Sequence, residues 1–204
     1  GVKIRLSEPV TAVEMKGRRL TALQTEQGTY KADAFVVNAD FADWMTKSIP
    51  NKLRRRWSDK KLAEKKYSCS TFMLYLGIDG LYEDLPHHNI HISSEYERNL
   101  DEIERQHVLS SDPSFYVQNA SVTDDSLAPR GQSALYVLVP VTHQHPNVDW
   151  SVESDRFREL TLDRLSAIGL GDVRDRIRVE HRITPADWES KYAIYRGATF
   201  NLAH

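Results

Sequence analysis

Two runs decide the fold: Phe72-Met73-Leu74-Tyr75-Leu76 and Leu135-Tyr136-Val137-Leu138-Val139. Each is apolar at every position, so a strand built from it is hydrophobic on both faces. Either another layer covers each face or one face lines an apolar cavity, with a packed core as the default. Working outward, Ile90–Ser94 and Phe115–Gln118 read as further strands. Ile177, Val179, His181 and Ile183 alternate with charged neighbours as a last one. Trp150–Ile168 reads as the longest helix: Phe157, Leu160, Leu165 and Ile168 recur near helical spacing, and Gly169 supplies the stop. Leu100–Leu109 reads as a short helix opened by Asn99, and Thr184-Pro185 opens another that runs to Tyr195. Long irregular stretches separate the strands, and no strict βαβ alternation is present. The expected class is α+β, a mixed or antiparallel sheet covered by helices.

Upstream, Val2, Ile4 and Leu6 alternate with Lys3, Arg5 and Ser7 like a half-buried strand, continued through Val10 and Ala12. Lys16-Gly17-Arg18-Arg19 and Gln27-Gly28 read as turns. Ala34-Phe35-Val36-Val37 predicts a strand buried on both faces, ending at Asn38-Ala39-Asp40, residues suited to a turn and a helix N-cap. From Phe41 to Tyr67 the pattern is helical, interrupted near Ser48-Ile49-Pro50, with Pro50 suited to a first helical position. A boundary is expected near Asp40, between a small strand cluster (1–40) and a larger body (41–204).

The chain has 204 residues, with 27 Lys and Arg against 29 Asp and Glu, a formal charge of −2. That balance argues against a nucleic-acid binder that relies on a basic field over the whole molecule. The single cysteine, Cys69, excludes an internal disulfide and a cysteine-rich zinc module, and between Ser68 and Ser70 it reads as packing rather than a nucleophile. No apolar run is long enough to cross a bilayer and no leader is visible, so a soluble cytoplasmic protein is expected, with peripheral membrane contact left open. The chain opens at Gly1 without methionine and closes at His204 without a polar tail, which suggests a segment of a longer protein.

Dinucleotide binding would require Gly-x-Gly-x-x-Gly between a strand and a helix. The nearest approach, Gly169-Leu170-Gly171, follows a helix, lacks the third glycine and reads as a C-cap. Phosphate-loop and nucleophile-elbow motifs are absent. His87, His88 and His91 cluster, as do His143 and His145, but without an accompanying carboxylate motif and beside Pro86 and Pro146; no metal site is expected. Asp124-Asp125 reads as a turn. Between Lys47 and Lys66 lie nine cations opposed only by Asp59 and Glu64, with Trp44, Met45, Ile49, Leu53 and Trp57 close to i, i+4 spacing. A cationic helix of this kind can lie on an anionic membrane; the blander reading is a solvated helix packed on its own domain, and nucleic acid is the weakest.

The order of several motifs carries a resemblance. Glu8-Pro-Val-Thr-Ala-Val13, Gly28 and Ala32-Asp33-Ala-Phe-Val-Val-Asn-Ala-Asp40 resemble the second half of the FAD domain of flavin-dependent phytoene desaturases, within the amine-oxidase-like flavoproteins. Leu85-Pro-His-His-Asn-Ile, Ser121-Val-Thr-Asp-Asp-Ser-Leu-Ala-Pro129 and Tyr136-Val-Leu-Val-Pro140 resemble the bacterial carotenoid desaturases. So do Val148-Asp-Trp150, Arg182-Ile-Thr-Pro185 and Tyr195-Arg-Gly-Ala-Thr-Phe-Asn201. The resemblance implies a parent that uses FAD to remove hydrogens from a long polyene such as phytoene. It implies that residues 1–40 are part of the FAD domain and that 41–204 are mostly the substrate domain. Val10 matches a position whose backbone meets the adenine, and Ala39 and Asp40 match a turn near the dinucleotide. Phe72, Leu74, Tyr136 and Leu138 are the expected substrate walls, and no catalytic residue is assigned. The glycine-rich and C-terminal FAD motifs of the family are missing, so the chain alone is expected neither to retain FAD nor to turn over substrate. The basic stretch gains plausibility as a membrane contact, since such substrates dissolve in lipid. Two alternatives stand: another flavoenzyme of the superfamily, an amine oxidase or a carotenoid isomerase, and a non-catalytic lipid-binding module.

Overall fold

The computed structural model describes residues 1–203, and the chain divides into two compact units, Gly1–Lys66 and Tyr67–His204. This division falls after the basic stretch rather than at Asp40.

In the first unit, β1 (Ala12–Lys16), β2 (Arg19–Thr25) and β3 (Gly28–Lys31) form an antiparallel meander in that order. Gly17 turns the first hairpin at φ +61°, a left-handed conformation that a side chain would strain. Two expected strands are missing. Residues 2–6 and 34–37 are irregular, and Val2 and Val36 are 92% and 97% exposed. Alternation marks a face that could be buried, but a strand also needs a neighbour for its N–H and C=O groups. The Asp40 carboxylate accepts from the Asp43 N–H and caps α1 (Phe41–Ser48) as its residue type suggests. The basic stretch is not one helix. Pro50, one position outside the first helical residue, precedes a 3-10 turn at Asn51–Leu53; a second follows at Arg55–Trp57, then α2 (Asp59–Ala63).

The second unit is a five-stranded antiparallel sheet with helices. β4 (Ser70–Asp79) lies between β7 (Gln132–Val141) and β8 (Ile177–Ile183), and β5 (His88–His91) forms the far edge beside β6 (Phe115–Asn119), in the order β5-β6-β7-β4-β8. Between β5 and β6, α3 (Tyr96–Asp101) runs into a π-helical turn at Glu102–Gln106, where a helix of 100–109 was expected. β6 (Phe115–Asn119) and β7 (Gln132–Val141) follow, then α4 (Trp150–Ala167), α5 (Val173–Arg176), β8 (Ile177–Ile183) and α6 (Pro185–Tyr192). Asp149 caps α4. Its end closes as the glycine pattern suggests, with the Leu170 N–H donating to the Leu165 carbonyl beyond Gly169 at φ +100°. Asp124 accepts from the Ser126 N–H and makes a turn, not an acid/base pair.

Burial alternates strictly along β7, while in β4 the alternation appears from Leu74 onward because Thr71 and Met73 are buried on the other face too. Phe72, Leu74, Leu76 and Ile78 point with Leu135, Val137, Val139 and Val141 into one buried cluster, closed by Trp150, Phe157, Leu162 and Leu165 of α4. The Phe72 ring stands 5.1 Å from Phe157 in an edge contact and 5.7 Å from Trp150, stacked. One face of the sheet is therefore a packed core. The other face carries Tyr75, Tyr136 and Leu138, none of them fully buried.

Candidate functional site

The open face is ordered by cross-strand register. Tyr75 of β4 pairs with His181 of β8 on one side and with Tyr136 of β7 on the other. Tyr136 pairs with Gln118, which places Tyr116 of β6 diagonal to it, and Tyr116 pairs with Ile90 of β5. The rings follow suit: His181 to Tyr75 is 6.0 Å, Tyr75 to Tyr136 5.3 Å and Tyr136 to Tyr116 6.0 Å. His88 stacks on Tyr116 and shares a 2.6 Å hydrogen bond with its hydroxyl. Aromatic side chains thus cross the whole sheet, about 19 Å at ordinary strand spacing.

At the β5 edge the row opens into an apolar groove of about 310 Å³ between the sheet and α3, lined by Ile90, Ile92, Tyr96, Leu100, Tyr116 and Leu138 among others. Ile90 in the edge strand and Ile92 just beyond its end are both exposed, which leaves an apolar patch at the sheet edge. At the other end α6 covers the face: the Trp188 indole N–H donates to the Thr71 carbonyl at 2.9 Å, and Met73 is buried beside it.

The face supplies surface rather than proton transfer. Burial, with the neighbouring phenols Tyr75 and Tyr116 adding, pushes the Tyr136 hydroxyl above its ordinary pKa; burial and then Tyr192 do the same to Tyr75. Both are neutral at physiological pH.

Of the expected wall residues, Tyr136 and Leu138 lie on this face. Phe72 and Leu74 lie on the opposite one, sealed beneath α4, so the four do not line one surface. Tyr75, Tyr116, Ile90 and His181 were not singled out from sequence. Their only signal was aromatic or apolar residues at alternate positions, which has no meaning until register is known.

Val10 and Ala39 are exposed in the first unit, and the Asp40 carboxylate is engaged at the α1 N-terminus. Among the described residues no glycine-rich turn opens a helix, and α1 begins on a carboxylate where a diphosphate would need bare N–H groups. These residues do not fit the phosphate part of a dinucleotide.

The histidines also resolve. Among the described residues no three His, Cys, Asp or Glu side chains converge to hold a metal. His91 stacks on Phe115, away from His87 and His88. His143 and His145 gather around His107, whose ring lies 5.1 and 4.3 Å from theirs. The Cys69 thiol is pushed up by burial and then by Glu104, which keeps it protonated and unreactive.

No protein-family model matches the chain. A 4,4'-diapophytoene desaturase (4,4'-diapolycopene-forming) of Methylomonas sp is 42% identical over the whole chain and 40% of its own length. An all-trans-zeta-carotene desaturase of Myxococcus xanthus is 42% identical over 100% of the chain and 39% of its own length. Over its whole length the chain is similar to a segment of these carotenoid desaturases. A neurosporene-forming phytoene desaturase of Rhodobacter capsulatus, 31% identical over 99% of the chain, extends the same agreement. The chain spans about 40% of the length of these curated relatives. Among solved structures, an oxidoreductase from Methanosarcina mazei shares the fold, with a TM-score of 0.52 over 86% of this chain and 36% of its own, at 10% identity. The α+β class expected from the strand order is the one observed. The desaturase relatives are oxidoreductases of carotenoid formation by name.

Proposed function

We propose that this chain is the substrate-handling segment of an FAD-dependent oxidoreductase that desaturates a long polyene such as phytoene. The observation that carries the reading is the aromatic row from His181 to Tyr116 that ends in an apolar groove, in a chain similar to carotenoid desaturases from end to end. A hydrocarbon offers no polar handle, so apolar area and shape must hold it. Phenol and imidazole rings in series offer apolar edges and faces along an extended hydrocarbon, and the groove suits its branched end.

In this reading Phe72 and Leu74 act indirectly, by fixing β4 from below, while Tyr75, Tyr136, Tyr116 and Leu138 touch substrate. FAD, when bound by the complete enzyme, supplies the hydrogen acceptor; this chain contributes orientation and a dry surface. The exposed Val2, Ile4, Leu6 and Val36 support the assignment of residues 1–40 to part of an FAD domain, since apolar segments of that kind find strand neighbours and cover in a complete dinucleotide-binding sheet. The substrate dissolves in lipid, so the enzyme collects it at a membrane surface.

Binding of phytoene from detergent micelles, followed by gel filtration and solvent extraction with ultraviolet detection, tests the reading. The Tyr75→Ser and Tyr136→Ser double variant should bind at least about tenfold less polyene, given the apolar area removed from the face. Unchanged retention by a folded double variant would sink the proposal.

A further inference from the structure

The first unit carries an apolar surface of a different kind. α1 and the two 3-10 turns after it bring Trp44, Met45, Ile49 and Leu53 around one groove of about 570 Å³. Arg18, from the β1–β2 turn, lines the same groove with Arg55 and Arg56. All three arginines are exposed, and among the described residues none has an ion-pair partner. The acids nearby are taken by other cations: Asp43 by Lys47 at 2.5 Å, Asp59 by Arg54 at 2.7 Å and Glu64 by Lys60 at 3.9 Å. The groove thus has an apolar floor and an uncompensated cationic rim.

That combination selects among anionic partners. A single-stranded nucleic acid would need open ring faces for stacking. Trp57 instead meets Phe41 edge-on at 5.0 Å and has Lys65 over its ring at 5.8 Å, and Trp44 is half-buried. Arginines at phosphate depth with indole, thioether and aliphatic groups below them match the headgroup–acyl boundary of a bilayer. We propose that this groove seats the first unit on an anionic phospholipid membrane. Arg18, Arg55 and Arg56 meet lipid phosphates there, and Trp44, Met45, Ile49 and Leu53 face the acyl boundary. The inference rests on the membrane side of the function proposed above and gives it a site and a lipid class.

The test is co-sedimentation of the 204-residue chain with vesicles of phosphatidylcholine alone or mixed with phosphatidylglycerol, without polyene or flavin. Failure of the desaturase reading therefore leaves the result standing, and the reverse also holds. The chain should bind the mixed vesicles, release as salt rises and ignore the neutral ones. Arg55→Glu with Arg56→Glu should cut binding about tenfold or more, with an unchanged circular-dichroism spectrum. Arg18→Glu, in an exposed hairpin turn, gives an independent arm should the double variant fail to fold. Glycerol phosphate should not displace the protein; displacement would assign the rim to free phosphate and overturn the proposal. So would equal binding to neutral vesicles, absence of binding to anionic ones, charge reversal without effect, or preference for an oligonucleotide.

Discussion

His107 shows how much can depend on one residue's surroundings. It sits at φ +53° at the end of the π-helical turn, and its Nδ1 shares a 2.8 Å hydrogen bond with the Thr142 hydroxyl. His143 Nδ1 faces the Gln144 carbonyl, which can only accept, so that nitrogen carries the proton. Arg196 and His145 lie close enough to oppose a further charge on His143. Burial first, and then the neighbouring imidazoles, hold His107 below the ordinary histidine pKa; burial does the same to His143 against a smaller opposing pull from the Gln144 carbonyl. A folded pKa below the unfolded one means that the unfolded chain takes up protons first as pH falls. The stabilisation is complete above about pH 6.5 and is lost progressively below it, as pH falls through the lowered pKa of the folded state. The lowered carboxylates Asp112 and Asp187 lose theirs only below about pH 4, so the two windows separate. The thermal midpoint should therefore fall between about pH 7 and pH 5. His107→Asn, which tolerates the left-handed backbone, should flatten that slope; an unchanged slope would remove the cluster from the account.

At the scale of elements, α4 decides which face of the sheet is core. Its Phe157 is fully buried, with ring centres 5.1 Å from Phe72 and 5.9 Å from Trp150. Phe157→Ala should cost about 3–5 kcal/mol in chemical denaturation, through lost transfer energy and the cavity left behind. A loss below 1 kcal/mol would mean that the core collapses onto the gap. The strands of that core were readable because an apolar run of five with flanking turns has few other fates, and α4 because its cap and glycine stop are local chemistry. What could not be read was non-local. The same runs gave Phe72 and Tyr136 equal standing as wall residues, and only the position of α4 separates them. Val36 looked like a buried strand because its own sequence is apolar, while strand formation depends on a neighbour that sequence does not name. His107 joins His143 and His145 from 36 residues away, through a turn whose π-helical geometry leaves no pattern in composition.

For the molecule as a whole, the question is how much of a dinucleotide grip two compact units can supply. Diphosphate binding draws on several bare N–H groups at a helix start, reached across a glycine-rich turn; among the described residues no glycine-rich turn opens a helix, and α1, the helix after the matched turn, is already capped by Asp40. Gly17 sits in a hairpin, Gly169 ends a helix, and the turn before α1 is Asn38-Ala39-Asp40 with its carboxylate already bonded to Asp43. A few peripheral backbone contacts through Val10 and Ala39 would leave most of the cofactor in water, and orienting it there costs more entropy than such contacts return. The purified 204-residue chain, incubated with excess FAD and desalted, should therefore emerge without the visible absorbance of a flavin. The face proposed to bind polyene lies in the second unit and does not depend on that grip, so phytoene retention, read by ultraviolet absorbance of the extract, should survive in the same flavin-free preparation. A stoichiometric yellow product would show that the first unit grips the dinucleotide by a route this geometry does not suggest. The assignment of residues 1–40 to a mere part of the FAD domain would fall with it.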